Sequence, residues 1–251
     1  MARIPKKVIE RFTKNTGRFQ RILRKASDND VNEADTVVIV TDILSEIFGY
    51  DKYTELTSEY AIRNTFCDLA VKIGDTAKYL IEVKAISVDL KENHLRQAVD
   101  YGAHEGIQWV ILTNGLVWQV YNIVLKKKVE YEKIFEIDFL SLNARKTQDQ
   151  EVLFLLAREG LSKDVMAEYH ERLQSLNRNV VSAILLSEPT LNLVRRELRR
   201  LTPGLRVEPF EIESILRNDV VKRNILDDDS FKHAQKRLNH YALKVHRFDV
   251  D

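Results

Sequence analysis

A single cysteine, no surplus of either charge, and no apolar run of membrane-spanning length limit this chain of 251 residues before any motif is read. With Cys67 alone, no disulfide framework can form within the chain and no cysteine-based zinc site can be built. That usage agrees with a reducing compartment, so the cytoplasm is the expected location and no membrane partner is expected. The 39 basic and 38 acidic side chains leave a formal charge of +1, so any nucleic-acid partner must be argued from local patches. Internal repeats and low-complexity tracts are missing. The Gly-x-x-x-x-Gly-Lys phosphate loop is also missing, which excludes a recognisable ATP motor. What is present, 44% hydrophobic residues, is enough for a sizeable core.

Residues 1–30 hold nine Lys or Arg against Glu10, Asp28 and Asp30, with Val8, Ile9, Phe12, Phe19, Ile22 and Leu23 at loosely helical spacing. Two readings stand side by side: a solvated helix laid on the domain, or an arm that contacts nucleic acid. A helix follows, with Val37, Val40, Ile43, Leu44 and Ile47 on one stripe, Asn32 as its cap and Gly49 beyond its end. Extended segments are expected near Tyr53 to Tyr60, Thr65 to Ile73 and Ala77 to Ile86. A helix from Leu90 to about His104 comes next, with Asp89 as its cap. "WVILTNGLVWQVYNI" reads as strand, Asn-Gly turn and strand, and a further short pairing is expected near Lys128 to Ile134. Past Ser141 to Gln150 the composition turns Leu- and Arg-rich. The expected division is a basic arm over 1–30, an α/β domain over 31–145 and a mainly helical domain over 146–251.

The stretch "FCDLAVKIGDTAKYLIEVKA", Phe66 to Ala85, places charges where two apolar strands meet. Alternation puts Cys67, Leu69, Val71 and Ile73 on one face, with Tyr79, Ile81, Val83 and Ala85 as their match, and sends Asp68, Glu82 and Lys84 to the other. A turn at Gly74-Asp75-Thr76 that pairs Ile73 with Ala77 sets Leu69 opposite Ile81 and Asp68 opposite Glu82. Two carboxylates facing each other repel, and Lys84 on the same face offsets them only in part. An inert cluster at the sheet rim is one reading. The other is a Mg²⁺ site, because hard oxygen ligands from adjacent strands, completed by water and phosphate oxygens, suit that ion. A nearby lysine then suits the orientation of an attacking water.

Asp68, then Glu82-Val83-Lys84, with an acidic residue on the preceding helix, Gln97-x-x-x-Tyr101 on the following one and Thr113-Asn114-Gly115 beyond, resembles the PD-(D/E)xK nuclease superfamily. More narrowly, the first half of the chain resembles the N-terminal nuclease domain of type I restriction enzyme R subunits and predicted type IV restriction endonucleases. The resemblance implies a restriction-endonuclease-like mixed sheet flanked by helices, followed here by the mainly helical C-terminal domain. It implies Mg²⁺ or Mn²⁺ held by Asp68, Glu82 and Glu33, catalysis by Asp68, Glu82 and Lys84, and a site bordered by Gln97 and Tyr101, which contact DNA. Asp35 and Glu46 compete with Glu33 for the helix position. Cys67 stands where the family has its nominal proline, and Val37 where an arginine is common.

The implied activity is metal-dependent endonuclease cleavage of DNA in restriction of foreign DNA. Restriction-system subunits and a second copy of the chain are candidate partners, since one such site cuts one strand. The alternatives are a non-catalytic DNA-binding or assembly module, and a repair or recombination nuclease of the same superfamily. His94 and His104 read as surface residues, Trp109 and Trp118 as core. Arg195, Arg196, Arg199 and Arg200 on one helix read equally as a phosphate contact or a solvated face.

Overall fold

Two helices precede the sheet in the computed structural model, which describes residues 3–62, 65–125 and 129–248. Helix α1 (Lys6–Asp28) buries Val8, Phe12, Phe19 and Leu23, spaced so that they fall on one side, and so is part of the main core rather than a detached arm. Helix α2 (Glu33–Glu46) starts at Asn32, whose side chain accepts the Asp35 N–H at 2.9 Å, as the sequence suggested. Its buried stripe carries Val40, Ile43 and Leu44, and Ile47 just past its end is buried too. Thr36 is also fully buried, with its hydroxyl turned back to Asn32 O, whereas Val37 is only half-buried.

Six strands follow: β1 (Leu56–Ile62), β2 (Thr65–Ile73), β3 (Thr76–Val83), β4 (Trp109–Thr113), β5 (Val117–Leu125) and β6 (Val129–Asp138). They lie side by side in chain order, antiparallel except for the parallel pair β3 and β4. A parallel pair needs a crossover connection. Here it contains a short 3₁₀ turn at Glu92–Leu95 and helix α3 (Arg96–Glu105), so the regular helix begins later than Leu90 and Asp89 does not cap it. Lys128, where the last pairing was expected to begin, lies outside the described residues; from Val129 on it is a full strand. The fold is therefore a mixed α/β sheet with flanking helices, followed by a helical C-terminal region.

Both faces of the sheet are buried. Leu69, Val71, Tyr79, Ile81, Val83, Trp118 and Val120 pack with α1 and α2, while Ala70, Leu80, Val110, Leu112 and Tyr121 pack with Leu95, Ala98 and Val99 from the crossover. Cys67 joins the second group rather than sharing Leu69's face. At that point the ladder of β1 and β2 leaves out the opposed residues Glu59 and Asp68 without a change of register, and Glu59 sits in the left-handed region at φ 48.

The chain divides into two compact units, Met1–Tyr169 and His170–Asp251, a division later than the change in composition near 146. Helix α4 (Thr147–Leu156) and the short α5 (Arg158–Leu161) belong to the first unit. Leu153, Phe154, Leu155, Leu156 and Ala157 are all buried in its core, so this apolar run has no exposed side to present as a separate helical domain. Two ion pairs hold the same segment: Arg158 with Glu55 at 2.7 Å and Arg11 with Glu159 at 2.7 Å. After α6 (Val165–Ser175), the second unit contains α7 (Arg178–Leu185), α8 (Glu188–Leu201), α9 (Pro209–Ile215), α10 (Arg223–Leu226) and α11 (Asp229–Phe248) around a small core of Ala183, Leu186, Val221, Ile225, Phe231 and Ala234.

Gly49, just past α2, supports the first unit through its φ of 85. A Cβ there would lie 2.4 Å from Arg11 Nη1, and that guanidinium is fixed by Ile47 O, Phe48 O and both Glu159 oxygens. Gly49→Ala is expected to destabilise the protein by about 2 kcal/mol, from backbone strain and displaced charged hydrogen bonds. In urea denaturation the midpoint falls and the slope is unchanged.

Candidate functional site

The strand pair that carries the charges closes tighter than the sequence suggested. Ile73 pairs with Thr76 around a turn of Gly74 and Asp75, with Gly74 at φ 60, the conformation that tight hairpin turns ask of glycine. The register shifts between Val71 and Lys72, because Val71 pairs with Tyr79 and Lys72 with Ala77, leaving Lys78 as the extra residue of a bulge. The bulge restores Leu69 opposite Ile81, the expected register. The β2 to β3 backbone ladder ends at that pair, one position short of Asp68 and Glu82.

β3 itself continues, held from its other side by β4: Glu82 pairs with Leu112, Val83 with Thr113, and Lys84 N–H donates to Thr113 O at 2.8 Å. Val83 thus keeps a free edge toward β2, and charged side chains fill it. Its N–H donates to Asp68 Oδ2 at 2.7 Å, and its carbonyl accepts from Lys84 Nζ at 2.9 Å. Lys84 Nζ also lies 2.8 Å from Glu82 Oε1 and 3.4 Å from Glu33 Oε2. Asp68, Glu82, Lys84 and Glu33 therefore meet at the open end of the two strands.

Glu33 reaches the cluster from the first turn of α2, where its charge also suits the helix dipole. Of its competitors, Glu46 sits at the opposite end of α2 and pairs with Arg18, and Asp35 is exposed beside the cap. Gln97 is exposed on α3, and Tyr101, one turn later, packs partly against the second core cluster. His104 Nδ1 lies against Asp100 O on the same helix. Trp109 and Trp118 are both core residues, as expected.

Glu82 is only 8% exposed, and burial raises the pKa of its carboxyl, with the charge of Asp68 adding to the shift and Lys84 opposing it. Burial likewise raises Asp68, against the Val83 N–H and Lys84. Burial opposes the charge on Lys84 as well, yet its bond to Glu82 and the three carboxylates around it hold its pKa above the usual lysine value. Burial is the first cause for both carboxylates, and the ammonium paired with Glu82 offsets it only in part.

The donor set fits a hard divalent cation. Among the described residues no three His, Cys, Asp or Glu side chains are grouped tightly enough to cage a metal unaided. Mg²⁺ does not need such a cage, since it keeps several waters and takes one or two carboxylates plus phosphate oxygens. Asp68 and Glu82 are the residues that would hold it, with the half-exposed Glu33 beside them.

The sequence did not indicate what steadies the chain beyond Lys84. Asn114 Nδ2 donates to Val88 O at 3.0 Å, while its Oδ1 accepts the N–H groups of Leu116 and Val117. The Asn-Gly pair signalled a turn. It gave no sign that the amide would also fasten the loop leaving the site.

Residues 34–137 match the family of the type I restriction enzyme R protein N terminus. That stretch, about two fifths of the chain, spans α2 and all six strands apart from Glu33 and the end of β6. It includes Asp68, Glu82, Lys84, Gln97 and Tyr101, and it ties this part of the molecule to restriction systems. Neither the curated proteins nor the solved structures contained a match to the chain. Among the described residues no helix is long and apolar enough to cross a membrane.

Proposed function

We propose that the protein is a divalent-metal-dependent DNA endonuclease of the PD-(D/E)xK type, acting in restriction of foreign DNA. The observation that carries this reading is the convergence of Asp68, Glu82 and Lys84 where β2 and β3 part, with Glu33 alongside. An inert rim cluster would be solvated. This one is largely buried, and its carboxylates resist ionisation, an arrangement that a bound cation would relieve.

Asp68 and Glu82 would hold the cation, Mg²⁺ or Mn²⁺, which would supply polarisation of the scissile phosphate and a more acidic water. Lys84 donates to the attacking water and offsets charge that develops on the phosphate oxygens, while its bond to Val83 O keeps the ammonium at the strand end. Asp68 is fixed by the Val83 N–H, so it needs no reorganisation when a cation arrives. On this reading Gln97 and Tyr101, one turn apart on α3, contact the DNA backbone.

The test is incubation of supercoiled plasmid with the purified protein in Mg²⁺ and in EDTA, beside Glu82→Gln. Nicked circles are expected with Mg²⁺ only, and none from the variant; linear product calls for two copies of the chain acting together. Cutting by Glu82→Gln at the parent rate would sink the assignment. A second readout needs no turnover: millimolar Mg²⁺ is expected to raise the thermal midpoint of the parent protein, because it binds only the folded state, and to leave that of Asp68→Asn unmoved. Salt-sensitive DNA binding with neither cutting nor a metal-induced shift would favour the non-catalytic module.

A further inference from the structure

We infer that the solvent face of α1 is a docking surface for the phosphate backbone of duplex DNA. This rests on the nuclease reading for its biological setting, but the surface is argued from the helix itself. Within Lys6–Asp28 eight Lys or Arg face two acids, Glu10 and Asp28, a net of +6. The chain as a whole is +1, so everything outside this helix sums to −5. Positive charge is concentrated on one element.

It is also concentrated on one side of that element. The buried side carries Val8, Phe12, Thr16, Phe19, Leu23 and Ala26. Lys7, Lys14, Arg21 and Lys25 are all exposed and recur at seven- and four-residue spacing, a nearly straight row along the helix with gaps of about 10 Å, then 6 Å. Arg11 and Arg18, their neighbours on the same flank, are taken up by Glu159 and Glu46. Among the described residues Lys7, Lys14, Arg21 and Lys25 have no carboxylate partner, Arg21 bonding only to Gly17 O of its own helix.

A helix arranged for stability alone would not look like this. Its first turn holds Lys6 and Lys7 and no acid, at the end where the backbone dipole is already positive, and its cap is Pro5, which offers no side-chain hydrogen bond. Three like-charge pairs stand four residues apart, Lys7 with Arg11, Lys14 with Arg18 and Arg21 with Lys25, and each opposes the helix. Local rules broken repeatedly on one exposed face point to a partner that repairs them, and a polyanion does so.

The dimensions and location agree. The 23 residues extend over about 34 Å, one helical repeat of a DNA duplex. The C-terminal turn of α1, with Arg24 and Lys25, is separated from Glu33 only by the tight connection 29–32. Leu23 touches the Asn-Gly turn, since a Cβ on Gly115 would lie 3.0 Å from its Cδ2. The charged row therefore leads to the end of the molecule where Asp68, Glu82 and Lys84 meet. Its contacts carry no base information, so it gives general affinity and orientation rather than a recognition sequence.

The experiment is equilibrium binding of a labelled 30-base-pair duplex, followed by fluorescence anisotropy across a salt series without divalent metal. The proteins are the parent, a fourfold variant (Lys7→Gln, Lys14→Gln, Arg21→Gln, Lys25→Gln), and a control with Arg196→Gln and Arg200→Gln on α8. Circular dichroism checks folding, which the fourfold change is expected to preserve because it removes repulsion. The expected result is at least a tenfold loss of affinity at about 50 mM salt for the fourfold variant. Its log–log salt slope should shrink by about 3 in magnitude, and the control should bind nearly as the parent does. Unchanged affinity and slope, or an equal loss in the control, would overturn the inference. The nuclease reading fails separately: a parent that binds in this manner but never cuts refutes the activity and keeps the surface. A fourfold variant that cuts and binds as the parent does refutes the surface and keeps the activity.

Discussion

Lys84→Met is expected to slow Mg²⁺-supported cleavage by about 10²- to 10³-fold, the usual cost of removing one preorganised donor from a charged transition state. Because its pKa is raised in the folded state, Lys84 contributes stability that is fully present below its unfolded pKa and is lost only as pH rises through the folded value. Deleting it at pH 7 leaves the buried Glu82 carboxylate without its 2.8 Å partner, so the variant is also expected to lose about 1–2 kcal/mol.

Asp68→Asn is expected to abolish cleavage with the opposite effect on stability. The Asp68 pKa is raised by folding, so the native state holds this proton more tightly than the unfolded chain does. Stability from this group is greatest below its unfolded pKa and falls as pH rises through the folded one; at neutral pH the charged form opposes folding. Asparagine removes the charge and can still accept the Val83 N–H through its amide oxygen. The variant should therefore be more stable than the parent at pH 7, with the gain shrinking toward the ordinary carboxylate range. Urea titrations at pH 7 and near pH 4 check the sign. A loss of stability that is equal at both values would contradict a carboxylate whose charge is opposed by burial.

The charged cluster was legible in the sequence because alternation allows few registers: Leu69 can meet Ile81 only if Asp68 and Glu82 come to the same end. The bulge at Lys78 was not legible. An exposed lysine beside Ala77 fits either register, and the choice is made by the two-residue turn, whose geometry depends on Gly74 adopting a positive φ. The end of the ladder before Asp68 was also hidden, since it arises from β3 following β4 rather than β2, a pairing that is non-local in the chain. Apolar residues on both sides of β2 and β3, such as Ala70 and Leu80, did indicate a sheet covered twice.

The change in composition near 146 precedes the division between the two compact units. The rise in leucine after Gln150 resembles the start of a separate helical domain, but five consecutive buried residues, Leu153 to Ala157, require apolar neighbours all round. The first unit supplies them, together with Arg11 and Glu55 for the two charges that follow. Among the acids of α2, identity alone could not choose the member of the site. The choice follows from the cap: Asn32 fixes where the helix begins, and only its first residue reaches Lys84.

Trp118→Ala is expected to cost about 3–5 kcal/mol, the range for a large aromatic side chain removed from a core. The ring is fully buried and meets Phe48 edge-on at 5.5 Å and 74°, linking β5 to the end of α2. Its indole N–H donates to Gly115 O at 3.0 Å, so truncation also leaves a carbonyl in the turn unpaired. That turn holds Asn114 against Val88 and Thr113 against Lys84 N–H, hence the damage should reach the cluster and lower cleavage in whatever fraction remains folded. Trp118→Phe separates the two effects: it keeps most of the packing and loses only the hydrogen bond, for an expected cost of about 1–3 kcal/mol. Chemical denaturation gives both values, and nicking measured well below each transition gives the activity of the folded fraction. If Trp118→Phe matched the parent in stability yet cut DNA more slowly, the indole hydrogen bond would be holding the Asn114 turn in place for the site rather than stabilising the core. If Trp118→Ala cost under about 1 kcal/mol, the ring could not be the packing centre of this sheet face.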